Sequence, residues 1–253
     1  MQVFQRVHRL LYLGHDTLVV GQGNGRGEMT TERQIQIDKP LGNGLLVALL
    51  AWCIGLIALR GLLTGSDYYL FMPWNLFLAC VPLCAASLLR RAQRSAAPDA
   101  LQLGLVAIWL LFLPNAPYIL TDLVHLHSDG SRLYWYDLGM LLSCAGTGLL
   151  LGYSSLFQVH ALFEQRFGAR LGWVVAVVAL LASGYGVYLG RVQRWNSWDI
   201  ITSPRGLFAS IADTVLNPLQ HLHIYALSGL FGIGLLAGYA TLYTMMGSRR
   251  GSD

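Results

Sequence analysis

The fold is decided by the stretch LPNAPYILTDLVH at residues 113–125, in which a long apolar run ends at two prolines. Proline has no backbone N–H and restricts the residue before it, so a helix that reaches Pro114 and Pro117 is interrupted there. We therefore expect a membrane-spanning helix that breaks short of the membrane boundary. The backbone groups freed at the break cannot face lipid and must be satisfied by protein or by a wet cavity.

The composition of the whole chain agrees with a membrane protein. Of its 253 residues, 55% are hydrophobic and 12% are charged, whereas soluble domains carry about 25% charged residues. The basic residues lie mostly between apolar segments, which is the membrane-orientation pattern, so the net charge of +4 does not indicate nucleic-acid binding. The four cysteines lie inside apolar runs, and a disulfide framework is not indicated.

Six apolar segments are long enough to cross about 30 Å of hydrocarbon, which takes roughly 20 residues each. They lie at about 43–63, 70–89, 100–120, 136–157, 171–190 and 222–246. The sequence thus predicts an all-α, polytopic membrane helical bundle of about six transmembrane helices, with a broken third helix. Around the membrane domain at 43–247 we expect an N-terminal tail at 1–42, with an interfacial helix and a Gly-rich linker, and a C-terminal tail at 248–253.

The positions of lysine and arginine predict the orientation of these spans. With six spans, twelve of the 17 basic residues fall on the side of the two termini and five on the other side. The positive-inside rule then places both termini in the cytoplasm.

Pairs of glycines four residues apart predict close contacts between helices. They occur at 148 and 152, 186 and 190, and 234 and 238, on the fourth, fifth and sixth spans. Such pairs let backbones approach closely, and within one chain we expect them to pack helices of the same molecule.

The loop at 191–221 is predicted to carry an amphipathic helix on the outer surface. Ser203-Pro204 is typical of a helix start. After it, Leu207, Phe208, Ile211 and Val215 recur on one helical face, and Asn217-Pro218 ends the run. We expect this helix to act as a lid over the bundle.

Polar residues converge at the predicted extracytoplasmic ends of the spans. As candidate catalytic residues we take Asp122, a general base or ligand, His125, its acid/base partner, and Asp137. At helical spacing Tyr118, Asp122 and His125 share one face. The candidate ligand-binding residues are Asn75, Asn115, Tyr118, Tyr136, Arg191, Arg194, Trp195, Asn196, Trp198 and Asp199.

Several roles stay open for the charged residues of this set. Arg191 and Arg194 can form structural ion pairs with the aspartates, stack on tryptophan, or hold an anionic ligand bidentately. The Asp122-x-x-His125 spacing resembles the carboxylate-x-x-His spacing of metal sites in helical bundles, so these two residues are the metal candidates. The spacing lacks the specificity of an H-E-x-x-H motif.

Four motifs occur in order along the chain: MPWNLFLACVPL, LPNAPYILTDLVHL, WYDLGMLLS and GYGVYLGRVQRWNSWD. Over about 45–245 they resemble the bacterial membrane-protein family catalogued as domain of unknown function number 1361. The resemblance implies a multi-pass protein of the bacterial inner membrane. It implies no reaction.

The sequence therefore predicts a polar pocket that opens to the extracytoplasmic side. It would bind or modify an amphiphilic ligand with an anionic or sugar head group, such as a lipid. A membrane transferase or hydrolase and a pure lipid-binding site fit the same residues. The alternative is a non-catalytic assembly or accessory subunit. A small transporter is a third interpretation. Transport is disfavoured because a permeation path needs polar residues along the whole span, and here only the outer half is polar. Neither a cofactor nor an oligomeric state follows from the sequence.

Overall fold

A computed structural model describes residues 42–127 and 133–248, and every regular element in these ranges is helical. The predicted N-terminal helix and linker and residues 249–253 lie outside them. A 3-10 helix, Ile119–His127, follows the fourth α-helix. The α-helices are α1 Asn43–Thr64, α2 Phe71–Arg94, α3 Asp99–Phe112, α4 Asn115–Tyr118, α5 Tyr134–Phe167, α6 Ala169–Arg191, α7 Asp199–Thr202, α8 Pro204–Leu216 and α9 Leu222–Ser248.

Six segments of this structure are long and apolar enough to cross a membrane, as predicted, so the chain is a multi-pass membrane protein. The third segment, Asp99–Leu126, includes α3, α4 and most of the 3-10 helix. The fourth segment is α5, and 67% of its most apolar window is buried against 22% for α1. The helix α5 is therefore the centre of the bundle, and it packs against α1, α2, α4, the 3-10 helix and α6.

The break in the third span lies where the prolines predict it, between the end of α3 at Phe112 and the start of α4 at Asn115. Two carbonyl oxygens near the break are bonded by side chains. The amide Nδ2 of Asn115 donates to the oxygen of Phe112 at 3.0 Å. The hydroxyl of Ser197 donates to the oxygen of Leu111 at 3.3 Å. Protein groups therefore satisfy backbone oxygens at the break, as a membrane requires.

After the break the chain continues as a 3-10 helix rather than as the expected α-helix. Side chains three residues apart are eclipsed in a 3-10 helix, which stacks Asp122 and His125 on one side. The hydroxyl of Thr121 donates to the oxygen of Tyr118 at 2.6 Å, three residues back. The tighter winding therefore brings Thr121, Asp122 and His125 within reach of the same side chain, that of Arg191.

Glycines of α5 and α6 leave room for the part of the third span around the two prolines, residues 110–119, which we call the broken segment. A side-chain carbon at Gly148 would lie 2.7 Å from the oxygen of Ala116, and one at Gly152 would lie 2.8 Å from the Ala116 Cβ. On α6, a Cβ at Gly186 would lie 2.5 Å from the Cγ of Pro114. The predicted packing within one chain is confirmed for the pairs at 148 and 152 and at 186 and 190, but not for Gly234, where no neighbouring atom lies within 4 Å of an added Cβ.

A buried ion pair joins α1 to α5 at the end of the bundle where α1 ends and α5 begins. Arg60 donates from Nε and Nη2 to the two oxygens of Asp137 at 3.1 and 3.2 Å. Both side chains are 2% exposed. The hydroxyl of Tyr69 donates to the same carboxylate at 3.5 Å, and the guanidinium lies 5.1 Å from the centre of the Tyr69 ring. Charges at this depth are tolerated when they are paired.

We expect Gly148→Ala to destabilise the protein, because the added carbon has no room against Ala116. Overpacking of this kind costs about 1–3 kcal/mol. The matched control is Gly146→Ala on the same helix, where no atom lies within 4 Å of the added carbon. Thermal unfolding of the purified protein in detergent measures both. Equal melting temperatures for the two variants would contradict this packing.

We expect Asp137→Asn to be strongly destabilising, since it leaves the Arg60 charge buried without its carboxylate. Breaking a buried ion pair costs about 3–5 kcal/mol. Replacing both partners, as in Arg60→Met with Asp137→Leu, should recover much of this loss. Asp213→Asn, which weakens the surface pair with His221 at 2.9 Å, should cost under about 1 kcal/mol. Chemical unfolding compares the four proteins, and a double variant no better than Asp137→Asn would refute the pairing argument.

Candidate ligand-binding site

The carboxylate of Asp122 connects three helices. Arg191, the last residue of α6, donates from Nη2 to Asp122 Oδ1 at 2.7 Å. Asn75, near the start of α2, donates from Nδ2 to Asp122 Oδ2 at 2.8 Å. Asp122 is 1% exposed. Both carboxylate oxygens are thus bonded, and the 3-10 helix is tied to α2 and α6.

The guanidinium of Arg191 also binds the rest of the 3-10 turn. Its Nε donates to the Thr121 hydroxyl at 2.9 Å, and Nη1 lies 3.3 Å from His125 Nε2. Arginine can only donate, so Nε2 accepts and the proton of a neutral His125 sits on Nδ1. That nitrogen lies 3.3 Å from the Tyr68 hydroxyl. Arg191 also lies over the Tyr118 ring at 5.0 Å.

The predicted candidates Asp122 and Asp137 therefore belong to two separate ion pairs. Two consecutive tyrosines connect them, because Tyr68 contacts His125 while Tyr69 contacts Asp137. The Tyr68 and Tyr69 rings meet edge to face with centroids 4.9 Å apart. Tyr136 points to the α1 side, where its hydroxyl donates to the oxygen of Leu56 at 2.7 Å.

A cavity of about 280 Å³ lies beside the Asp122–Arg191 pair. This volume is just below the roughly 300–1,000 Å³ of typical small-molecule sites. The broken segment, the start of α2, the end of α6, the 195–200 segment and α8 form its walls. Six of the predicted ligand-binding residues line it: Asn75, Asn115, Tyr118, Trp195, Asn196 and Trp198.

Several polar atoms of the cavity wall are free to bind a ligand. The Nδ2 atoms of Asn75 and Asn115 are already used, in bonds to Asp122 and to Phe112 and Ser197 respectively. Their Oδ1 atoms and the Tyr118 hydroxyl make no hydrogen bond within residues 42–127 and 133–248. The cavity therefore presents two amide oxygens that can accept hydrogen bonds and one hydroxyl that can donate or accept, among apolar walls.

Exposed aromatic side chains surround the mouth of the cavity. Trp74 is 52% exposed and Trp198 is 37% exposed, and their ring centroids lie 6.1 Å apart. Phe77 stacks on Trp74 at 5.3 Å and is 57% exposed, and Phe208 of α8 is 56% exposed. The rim is thus apolar and lies partly on the membrane-spanning helix α2.

The helix α8 closes one side of the cavity, but its predicted apolar face is divided. Leu207, Phe208 and Ile211 line the cavity, but Phe208 is 56% exposed, and Val215 is 61% exposed and is not part of the lining. Polar groups also anchor the helix. Ser210 donates to Gln193 Oε1 at 2.5 Å, and the Tyr225 hydroxyl donates to the oxygen of Thr214 at 3.0 Å.

Arg194 and Asp199 have local roles at the two ends of the 192–198 segment. Arg194 is exposed with φ at 60°, and after it the Trp195 N–H bonds the oxygen of Leu189 at 3.0 Å, which ends α6. Asp199 accepts from the Asn196 N–H at 2.7 Å and from the Thr202 hydroxyl at 2.8 Å. These bonds, led by that from Asn196, hold the pKa of Asp199 below its usual value. Neither residue contacts Arg191.

The metal candidates are engaged in other contacts. Within the described ranges no group of three or more His, Cys, Asp and Glu residues could hold a metal ion. Both oxygens of Asp122 and both ring nitrogens of His125 have polar partners. The spacing of these two residues therefore serves the contact with Arg191.

Some residues of the site were not among the sequence candidates. Arg60 could have been chosen from the sequence, because a charged residue inside an apolar run is by default a candidate for function or for ion pairing. Trp74 lies in the motif MPWNLFLACVPL and Ser197 in GYGVYLGRVQRWNSWD, but neither was among the candidate ligand-binding residues. Thr121 and Tyr68 carried no signal, because hydroxyl groups are common in membrane helices and their neighbours.

The matched part of the chain covers the whole cavity wall. No curated protein and no solved structure matches this chain. Residues 74–237 match the family described as protein of unknown function (DUF1361), from Trp74 at the mouth to beyond Ile211 of α8. Because this match covers more than half of the chain, the protein belongs to the DUF1361 family.

Proposed function

We propose that this protein binds a membrane amphiphile, with the polar head group inside the cavity and the apolar part outside it, against α2 and α8. The observation that carries the proposal is the combination of a small chamber containing free polar atoms with a mouth of exposed aromatic rings. Small-molecule sites are lined mainly by apolar and aromatic side chains with a few placed polar groups, and this cavity has that make-up.

The size and the position of the cavity support an amphiphile over a fully enclosed ligand. A chamber of about 280 Å³ holds a head group rather than a whole lipid. Trp74 and Phe77 lie on a helix that can cross the membrane, and their exposed rings face outward from the bundle. An apolar chain leaving the mouth would therefore run along α2 in the bilayer.

The contacts of Asp122 support binding rather than catalysis as the primary function. A general base must reach the proton that it removes, whereas Asp122 is 1% exposed, is not part of the cavity lining and has both oxygens bonded, one of them to arginine. The bond from Asn75 to Asp122 holds Asn75 at the cavity wall, and Arg191, which Asp122 binds, packs on the ring of Tyr118. We propose that Asp122, His125 and Arg191 are positioning residues, which keep the wall in shape.

A cavity-filling substitution tests the proposal. We expect wild-type protein purified in a mild detergent to retain membrane lipid, and Ile211→Trp to lose it, because the indole occupies the chamber that Ile211 lines. Ala212→Trp is the matched control, since its exposed neighbouring side chain lies outside the cavity. Native mass spectrometry counts the bound lipids. Equal retention by both variants, or no lipid on the wild type, would refute the proposal.

The orientation of the site has its own test. We propose that the cavity lies in the outer half of the membrane, as the distribution of basic residues predicts. In a variant lacking the four native cysteines, a membrane-impermeant maleimide added to intact cells should label Gln220→Cys and leave Ser95→Cys unlabelled. Both positions are exposed. The reverse pattern would place the cavity in the inner leaflet.

A further inference from the structure

We infer that the head group bound in this cavity is uncharged and rich in hydroxyl groups, as in a glycolipid with one sugar ring, and is not a phosphate. The inference rests on the proposed function and names the ligand class of the same site. It comes from the chemistry of the wall, which the following contacts define.

The wall carries no charge to balance an anion. Among the described residues that line the cavity there is no lysine, arginine, histidine, aspartate or glutamate. Moving an ionised group out of water is very costly unless it is paired and hydrogen-bonded. A phosphate in this chamber would lack a cation at the wall.

Arg191, which packs on the ring of the wall residue Tyr118, is already engaged. Arg191 lies over the Tyr118 ring at 5.0 Å and is not part of the cavity lining. Its charge is balanced by Asp122 at 2.7 Å, and its other contacts are Thr121 and His125. The anion-binding role that the sequence predicts for Arg191 would require this network to open.

The free polar atoms of the wall include acceptors as well as the indole N–H donors of its tryptophans and the Tyr118 hydroxyl. Because the Nδ2 atoms of Asn75 and Asn115 are used, their free Oδ1 atoms can only accept hydrogen bonds. A hydroxyl group donates and accepts, so sugar hydroxyls satisfy these two oxygens and also the Tyr118 hydroxyl. An ionised phosphate offers acceptors alone, which leaves the amide oxygens without a partner.

The aromatic side chains of the wall suit a ring with apolar C–H faces. Trp74, Trp195 and Trp198 line the cavity together. Indole rings present broad apolar faces with one N–H donor at the edge. A sugar ring matches this arrangement, with its C–H faces against the indoles and its hydroxyls toward the asparagines.

Four probes test the inference by native mass spectrometry of the full chain in detergent: dioctanoylglycerol, its β-glucoside, dioctanoyl phosphatidate and free glucose. We expect the glucoside to bind about tenfold more tightly than dioctanoylglycerol, from two or three net hydrogen bonds. Phosphatidate should bind no more tightly than dioctanoylglycerol. Free glucose should bind more weakly than the glucoside, because the ligand is a lipid.

A pair of tyrosine variants assigns the effect to the wall. Tyr118→Phe removes a hydroxyl of the cavity and keeps the ring beneath Arg191. It should weaken glucoside binding about three- to tenfold and leave dioctanoylglycerol unchanged. Tyr136→Phe removes a hydroxyl that bonds Leu56 outside the cavity and should leave the preference for the glucoside intact.

The other outcomes separate the two claims. Tightest binding of phosphatidate would overturn the inference and leave the proposed function standing, as would equal binding of the glucoside and dioctanoylglycerol. Equal loss in Tyr118→Phe and Tyr136→Phe would overturn the assignment to this wall. Binding of free glucose as tight as that of the glucoside, or no binding of any lipid probe, would overturn the proposed function itself.

Discussion

The need to satisfy backbone oxygens inside a membrane is the constraint on which this structure depends. Two prolines interrupt the third span, and two backbone oxygens near the break, those of Phe112 and Leu111, are met by the Asn115 amide and the Ser197 hydroxyl. This requirement brings the 192–198 segment down onto the break. The cavity is the space left between them, with Trp195 and Trp198 as walls. The proline break in the third span thus determines where the neighbouring 192–198 segment packs.

The sequence was sufficient for features that depend on length, proline and small residues. It predicted the six spans, the broken third helix and the close packing at the glycine pairs of the fourth and fifth spans, because each follows from a local rule. It was less informative where tertiary partners decide. The pairing of Arg60 with Asp137 joins residues 77 positions apart, and no spacing rule connects them. The 3-10 winding escaped prediction because residues three apart lie on the same side of both an α-helix and a 3-10 helix, so the Asp122-x-x-His125 spacing does not distinguish the two.

The division of the α8 face shows a further limit of sequence patterns in membrane proteins. In water, an apolar stripe on a helix faces the protein core. Near lipid, apolar side chains are equally stable outside, so Phe208 and Val215 are exposed while Leu207 is buried. Similarly, six predicted ligand-binding residues meet at the cavity, whereas Tyr136 and Asp137 belong to the α1 side. Shared position at one end of the bundle did not determine which neighbour each side chain contacts.

The winding of the Ile119–His127 segment also sets a length. Nine residues of 3-10 helix rise about 18 Å, compared with about 13.5 Å as an α-helix. The third membrane-capable segment, whose first helix ends after 14 residues, is thus longer than an α-helix of the same number of residues would be. Because this same segment carries Asp122 and His125, the thickness of the surrounding hydrocarbon bears directly on the depth at which their contacts with Arg191 lie.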